Sequence, residues 1–340
     1  MTNAATDRSA TQYGVLVRHF GPHASRDAVV ADAARLEDLG FDSLWARDHV
    51  VYEPHGFESQ NPTFLDPLIT LAAAAAATDR MTLATGCLIP HRNPVAAALA
   101  LASLDFIAGG GRVLVGFGLG SFDHEFESVG MGGWDRREVF EEQVVVMRRL
   151  WGEVDPVNHD GQFYRFDNVS IRPQPDGGTL PIWYSGSSRA AVRRAVANCD
   201  GWVPGALPRG LMVERIELMS DLVGKADREL LTIGCMPIVS LAPTVEKAVA
   251  SIGLDRLIDQ ANQRYRPTNP YTSLDDLDGS VIAGPPDRIV EEVLRFHEVG
   301  VSHIVFDLRL RFDDWEQHTE LLATEVLPAL RREAPVVGPR

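Results

Sequence analysis

Residues 81–120 read MTLATGCLIPHRNPVAAALALASLDFIAGGGRVLVGFGLG and contain the pattern that decides the fold. A short apolar run is followed by a turn with proline, an alanine- and leucine-rich segment of helical length, three glycines and a second apolar run. Strand, helix and strand in this order form one βαβ unit, which predicts a parallel sheet with its site at the carboxyl ends of the strands. Both predicted strands end in small residues, Thr85-Gly86-Cys87 and Gly118-Leu119-Gly120, which let a flat ligand approach the backbone closely.

The same alternation of strand and helix continues on both sides of this unit. Further strands are predicted at residues 13–17, 41–46, 180–184, 201–203, 231–237 and 303–307. About eight strands alternating with helices predict an α/β fold, a (β/α)8 TIM barrel with insertions, and a doubly wound open sheet is the alternative. We assign residues 1–12 to a disordered N-terminal tail, 13–331 to a single barrel domain and 332–340 to a C-terminal tail. Irregular insertions are predicted at about residues 153–180 and 254–280, where the strand and helix pattern breaks.

Composition excludes several classes of partner. Forty-seven acidic residues against thirty-two basic ones give a net charge of −15, which argues against binding to nucleic acid or to an anionic membrane surface. The first twelve residues lack the features of a signal peptide, and no run of about 18 apolar residues could span a bilayer. Three widely spaced cysteines, Cys87, Cys199 and Cys235, are typical of reduced core thiols, so we expect a cytoplasmic protein.

Asp48 and His49 directly follow the second predicted strand. In a barrel this position lies at the catalytic rim. A histidine can exchange a proton near neutral pH, and with a carboxylate beside it the pair suits proton transfer or hydrogen bonding to a redox ring. The alternative is that Asp48 caps the next segment while His49 packs against the long loop at residues 50–62.

A second candidate site is the segment Ser185-Gly186-Ser187-Ser188, which connects a predicted strand to a predicted helix. Free backbone N–H groups, the helix dipole and the hydroxyl groups would form a cradle for phosphate there. The alternative is ordinary capping of the helix by Ser187 or Ser188.

Two other patterns carry less information. Gly116, Gly118 and Gly120 lack the spacing of the dinucleotide-binding fingerprint, so they indicate either a tight turn or a ligand surface. His19, His23 and His91 do not provide the His-x-His pair of a metal-dependent hydrolase barrel, and we predict no metal site.

Taken together, several short motifs resemble the bacterial luciferase-like superfamily. They are FDSLWARDH at residues 41–49, TGCLIP at 85–90 followed by RNP at 92–94, GGR at 110–112 and DGW at 200–202. Their order and spacing match from about residue 13 to residue 330. The resemblance implies a (β/α)8 barrel that binds a flavin or a deazaflavin at its C-terminal face, and the Asp48-His49 pair resembles the branch that uses the deazaflavin coenzyme F420.

The resemblance also implies roles for individual residues. His49 would lie against the reactive ring and be oriented by Asp48, which makes these two the candidate catalytic residues. A non-proline cis peptide is implied between Gly86 and Cys87, behind the ring. The implied cofactor-binding residues are Asp48, Gly86, Cys87, Gly118, Gly120, Ser185, Gly186, Ser187 and Ser188.

The function that follows is an F420-dependent oxidoreductase that transfers a hydride between C5 of the deazaflavin and a small organic substrate. The alternative is an FMN-dependent, two-component monooxygenase that uses O₂ and reduced flavin from a separate reductase. A flavin-binding barrel without activity and a hydrolase barrel without redox chemistry also stay open. The family commonly forms dimers, so we expect a homodimer.

The sequence departs from the sugar-phosphate dehydrogenases of this branch at two positions. Ser121 stands where those enzymes carry a glutamate as proton donor, and Pro208, with Arg209 beside it, stands near the position of their lysine. A sugar phosphate is therefore not expected, and the acid must come from another residue. Candidates for the acid are Asp123, His124 and Glu125. Aromatic residues in the long loops (Phe57, Phe64, Tyr265 and Tyr271) suggest an apolar or aromatic substrate, although such residues often pack the loops themselves.

Overall fold

The computed structural model describes residues 11–54, 60–153 and 156–333. Phe57 and nearly all of the two predicted tails lie outside these residues. The first strand begins at Gln12, which lies one residue inside the predicted N-terminal tail.

Eight parallel strands form the centre of the fold. They are β1 (Gln12–Leu16), β2 (Ser43–Ala46), β3 (Thr82–Thr85), β4 (Val113–Phe117), β7 (Ile182–Tyr184), β8 (Gly201–Trp202), β9 (Thr232–Cys235) and β12 (His303–Phe306). They close into a barrel in the order β1-β12-β9-β8-β7-β4-β3-β2, which confirms the predicted (β/α)8 barrel. Nearly every residue of these strands is buried, as expected where a parallel sheet is covered on both faces, and this explains the continuous apolar runs in the sequence.

Helices cover the outside of the barrel and connect its strands. They are α1 (Arg26–Asp38), α2 (Pro67–Ala75), α3 (Pro94–Ile107), α4 (Asp123–Ser128), α5 (Arg136–Gly152), α6 (Arg189–Asn198), α7 (Arg209–Lys225), α8 (Val245–Ala250), α9 (Leu254–Tyr265), α10 (Pro286–Glu298), α11 (Trp315–Leu321) and α12 (Leu327–Glu333). Local sequence sets where they begin: Asp66 and Asn93 accept hydrogen bonds from the first N–H groups of α2 and α3, and a proline follows each cap. No helix of the described residues is long and apolar enough to cross a membrane.

Both predicted insertions contain regular structure. The first contains an antiparallel hairpin of β5 (Val157–Asp160) and β6 (Arg165–Val169). In the second, α9 spans twelve residues where we predicted no helix. Leu257, Ile258 and Ala261 form a buried stripe at helical spacing. Polar residues flank and interrupt these three in the sequence, so the helical pattern is weak there.

A small unit outside the barrel lies at the C-terminal ends of its strands. It pairs β10 (Ile238–Leu241) in parallel with β11 (Val281–Gly284), and we refer to residues 238–284, with α8 and α9, as the side unit. Val239, Leu241 and Ile282 of this unit pack in the main core, whereas Leu257, Ile258 and Ala261 of α9 belong to a second apolar cluster. A backbone bridge between Ile238 and Asp307, which follows β12, holds the side unit against the barrel mouth.

Candidate active site

A cavity of about 610 Å³ opens at the C-terminal ends of the barrel strands. All ten of the site residues predicted from the sequence line it, although they come from four separate strand ends: Asp48, His49, Gly86, Cys87, Gly118, Gly120, Ser185, Gly186, Ser187 and Ser188. The structure therefore brings the predicted residues together at the face where barrel enzymes carry their active sites.

Small residues form one side of this cavity. The peptide bond between Gly86 and Cys87 is cis, as the resemblance implied. A Cβ atom on Gly118 would lie 2.5 Å from the Cys87 sulfur, which would have to shift, and Gly120 has a left-handed φ of 71°, which favours glycine. Burial raises the pKa of the Cys87 thiol to about 11, so this wall is uncharged near neutral pH.

His49 is paired with Glu125, a residue of α4. The Nδ1 atom of His49 lies 3.2 Å from a carboxylate oxygen of Glu125, whose side chain is 1% exposed. The same oxygen accepts a hydrogen bond from the backbone N–H of Val50 at 3.0 Å. Burial raises the pKa of Glu125, but the hydrogen bonds from His49 and the backbone outweigh it and hold the pKa below its ordinary value.

Each ring nitrogen of His49 has a different neighbour. The guanidinium of Arg47 lies 3.4 Å from Nε2 of His49, and a guanidinium can only donate. In the neutral tautomer with its proton on Nδ1, that proton faces the Glu125 carboxylate and Nε2 can accept a hydrogen bond. Rings of Tyr52, Phe64 and Phe122 contact the imidazole at centroid distances of 5.3, 4.9 and 5.8 Å.

The expectation that Asp48 orients His49 is wrong. The Asp48 carboxylate accepts hydrogen bonds from Arg92 (Nε at 3.0 Å, Nη2 at 2.5 Å) and from the backbone N–H of Ile89 at 3.0 Å. Its side chain has no exposed surface, so a ligand can contact Asp48 only through its main chain. Adjacent residues of an extended chain point to opposite sides, so Asp48 joins the ends of β2 and β3 while His49 faces Glu125.

Glu125 is thus the only one of the three candidate acids that contacts the His49 ring in the described structure. Asp123 is exposed and pairs with Arg136, whereas His124 is hydrogen-bonded to the backbone carbonyl of Val51 at 2.9 Å. Ser121 lines the cavity, but Arg209 lies elsewhere, in a buried ion pair with Glu292.

The candidate phosphate cradle is built mainly from backbone. Ser188 caps α6, because its Oγ accepts a hydrogen bond from Ala191 N at 3.1 Å, and Ser185 Oγ donates to the Val203 carbonyl at 2.8 Å. The capping alternative therefore describes Ser188 correctly. The Ser187 side chain is hydrogen-bonded to Tyr265, so the groups left for an anion are the N–H groups of α6 that precede Ala191.

Four arginines that the sequence analysis did not assign to the site also line the cavity: Arg47, Arg194, Arg264 and Arg309. Two of them could have been found from their positions, because Arg47 and Arg309 closely follow β2 and β12. Arg194 donates to the Tyr184 hydroxyl at 2.7 Å, one turn into α6. Arg264 belongs to α9, the helix that the sequence pattern did not predict.

Among the described residues, the other histidines and loop aromatics discussed from the sequence do not line the cavity. His19 is hydrogen-bonded to two backbone carbonyls, His91 is buried 3.9 Å from Asp48, and His23 pairs with the exposed Asp313. Within residues 11–54, 60–153 and 156–333, no group of three or more His, Cys, Asp or Glu side chains could hold a metal ion. Tyr265 and Tyr271 pack against the side unit, as the alternative for loop aromatics described.

Comparison with known proteins identifies the class. The family model for luciferase-like monooxygenases matches residues 5–303. The chain is an oxidoreductase with a (β/α)8 barrel. It belongs to the luciferase-like monooxygenase family.

Individual relatives within this fold use different cofactors. The F420-dependent glucose-6-phosphate dehydrogenase of Nocardia farcinica is 27% identical over 333 residues, which cover 92% of this chain and 95% of that protein. An F420-dependent secondary alcohol dehydrogenase, solved with an F420–acetone adduct, has a TM-score of 0.79 at 23% identity and covers 94% of this chain and 99% of its own. The oxygenating constituent of 3,6-diketocamphane monooxygenase from Pseudomonas putida, solved with FMN, has a TM-score of 0.76 at 20% identity. The match covers 94% of this chain and 98% of that chain. At these identities the two structures show the shared fold.

Proposed function

We propose that this protein is an F420-dependent oxidoreductase that transfers a hydride between C5 of the deazaflavin and a small organic substrate. The observation that carries the proposal is the pairing of His49 with the buried Glu125 beside a cavity with a glycine-lined wall. The deazaflavin is favoured over a flavin by the relatives that match over nearly the whole chain, which are named F420-dependent dehydrogenases.

The residues of the cavity fit such a cofactor. Gly86, Gly118 and Gly120 line the cavity with main-chain atoms, against which a flat ring would lie. The N-terminal end of α6 with Ser187 would hold a phosphate. When bound, the deazaflavin supplies or accepts the hydride at C5.

The side chains of this protein would move the accompanying proton. In the direction of substrate oxidation, Nε2 of His49 accepts the proton of a substrate hydroxyl, and in the reverse direction it returns that proton. Glu125 holds the Nδ1 proton and stabilises the positive charge that the imidazole gains. Asp48 and Arg92 position this rim by joining the segments that follow β2 and β3.

Titration of the purified protein with F420 and with FMN, followed by quenching of tryptophan fluorescence, tests the cofactor. We expect saturable binding of F420. Gly118→Ala should weaken it at least about tenfold, because the added Cβ displaces the Cys87 wall. Gly205→Ala is the matched control, since a Cβ on this other cavity glycine meets no atom within 4 Å. Saturable binding of FMN without binding of F420 would overturn the proposal.

The second candidate function is an FMN-dependent, two-component monooxygenase. It is favoured by Ser121, which replaces the glutamate of the sugar-phosphate dehydrogenases, and by the fold shared with the FMN-bound monooxygenase. Under this alternative, a separate reductase supplies the reduced flavin. O₂ consumption with reduced FMN would distinguish it from the F420-dependent reaction.

We also propose a cytoplasmic homodimer. The three cysteines are free, which suits a reducing compartment. The outer faces of α2 and α3 expose Ile69 and Phe106 at 71% and 72%, and Asp105, which is buried, is the one charged residue within these two helices. In a chain of net charge −15, two copies would meet with the least repulsion at this face.

A further inference from the structure

The cavity carries unbalanced positive charge at one end. Among the residues that the structure describes, three carboxylates line the cavity, and each has a positively charged or histidine partner: Asp48 with Arg92, Glu125 with His49 and Asp307 with Arg309. By contrast, Arg264 has no ion pair and no side-chain hydrogen bond with any residue that the structure describes. Although the whole chain is strongly acidic, this part of the cavity is therefore positive.

The helix that carries Arg264 is fixed against the barrel mouth. Gln260 and Arg264 lie four residues apart on one face of α9, and both line the cavity. The opposite face of α9 is buried in the apolar cluster of the side unit. At the end of the helix, the Tyr265 hydroxyl donates to the backbone carbonyl of Ala206, which is itself a cavity residue.

We propose that Arg264, with Gln260 beside it, binds a second anionic group, a carboxylate or a phosphate, in addition to the phosphate held at the start of α6. A guanidinium binds a carboxylate or a phosphate with two parallel hydrogen bonds, and the Gln260 amide adds a further donor. The two sets of donors come from different parts of the fold, the barrel and the side unit, and both line the same cavity. This inference rests on the proposed function, since it concerns a ligand of the same cavity.

This anionic group could belong to the cofactor or to the substrate. F420 carries carboxylates beyond its phosphate, whereas FMN ends at the phosphate. The other source is an anionic group on the substrate itself. In both cases the side unit selects for a negatively charged group at the open end of the cavity.

The test compares Arg264→Gln with Arg266→Gln. Both variants lose one positive charge, and Arg266 is an exposed residue that lies outside the cavity. In one arm, tryptophan quenching measures the Kd of F420 with its glutamyl tail and of the same deazaflavin without that tail. In the other arm, calorimetry with the cofactor-saturated protein measures the Kd of benzoate and of its neutral amide, benzamide.

We expect Arg264→Gln to weaken binding of the charged ligand by about tenfold in one arm, and Arg266→Gln to leave it unchanged. An effect on tailed F420 alone identifies the cofactor tail as the source, and an effect on benzoate alone identifies the substrate. High salt should reduce the difference between wild type and Arg264→Gln.

Unchanged affinities in both arms, in a wild-type protein that binds F420, would overturn this inference and leave the proposed function intact. A wild-type protein that binds no F420 would overturn the proposed function and this inference with it. Because Arg264 is exposed and contributes nothing to a core, both variants should melt at the wild-type temperature.

Discussion

Glu125→Gln tests whether the carboxylate acts through His49. The substitution keeps the shape of the side chain and removes its charge. In the structure, the buried carboxylate accepts hydrogen bonds from His49 at 3.2 Å and from the Val50 N–H at 3.0 Å. A hydrogen bond to a charged group contributes about 1.5–3 kcal/mol. If His49 gains its positive charge in the transition state, this loss corresponds to a decrease in kcat of roughly tenfold to a hundredfold.

The same variant changes the pH dependence of stability. The pKa of Glu125 is lowered in the folded protein, so the unfolded chain binds the proton more tightly. The stabilisation from the ionised carboxylate is therefore fully present above the ordinary glutamate pKa of 4.5 and is lost as the pH falls through the lower, folded pKa. We expect wild type to exceed Glu125→Gln in unfolding free energy near neutral pH, and the difference to disappear in acid.

Both expectations can be measured on the same samples. Steady-state kinetics with the cofactor that binds gives kcat, and urea unfolding across the acid range gives the free energy of unfolding. Glu127→Gln is the matched control, because Glu127 is an exposed residue of the same helix. A Glu125→Gln enzyme with kcat within about twofold of wild type and the same stability near neutral pH would refute the reasoning.

The other predictions concern the His49 imidazole, the ion pair of Asp48 with Arg92, and the exposed face of α2 and α3. His49→Ala should lower kcat by about a hundredfold or more while the cofactor Kd stays within about tenfold; unchanged kcat would remove His49 from the mechanism. Arg92→Leu leaves the Asp48 carboxylate buried without its partner, so urea unfolding should show a loss of about 3 kcal/mol, against little change for the exposed Arg80→Leu. Phe106→Glu should give a monomer in light scattering; a dimer that persists would exclude the α2 and α3 face.

The barrel could be predicted from the sequence because each of its strands is buried on both faces. Burial on both sides makes every strand a continuous apolar run, and helices separate these runs at regular intervals. The side unit could not be predicted in this way. Its helix α9 buries a narrow stripe of Leu257, Ile258 and Ala261, and the polar residues between them broke the pattern. The parallel pairing of β10 with β11 joins residues about forty positions apart, which no local pattern indicates.

The candidate site, too, could be predicted from the sequence only in part. Residues at strand ends, such as His49 and Gly118, could be predicted to face one cavity because the barrel brings all strand ends to one face. The partner of His49 could not, since Glu125 lies 76 positions away on a short helix. Sequence adjacency suggested Asp48 instead. Adjacency is misleading here because neighbouring residues of an extended chain point in opposite directions.

The separate apolar cluster of the side unit has a consequence for how this enzyme can change over time. Substitutions that are far apart and share no partners have nearly additive effects on stability, so residues of this cluster on α9, such as Leu257 and Ala261, can change with little effect on the packing of the glycine-lined wall. Changes in α9, which also carries Gln260 and Arg264, would then alter which anionic ligands the enzyme accepts and leave the glycine-lined wall in place. The barrel would then carry the residues for the reaction, and α9 would carry residues that select the ligand.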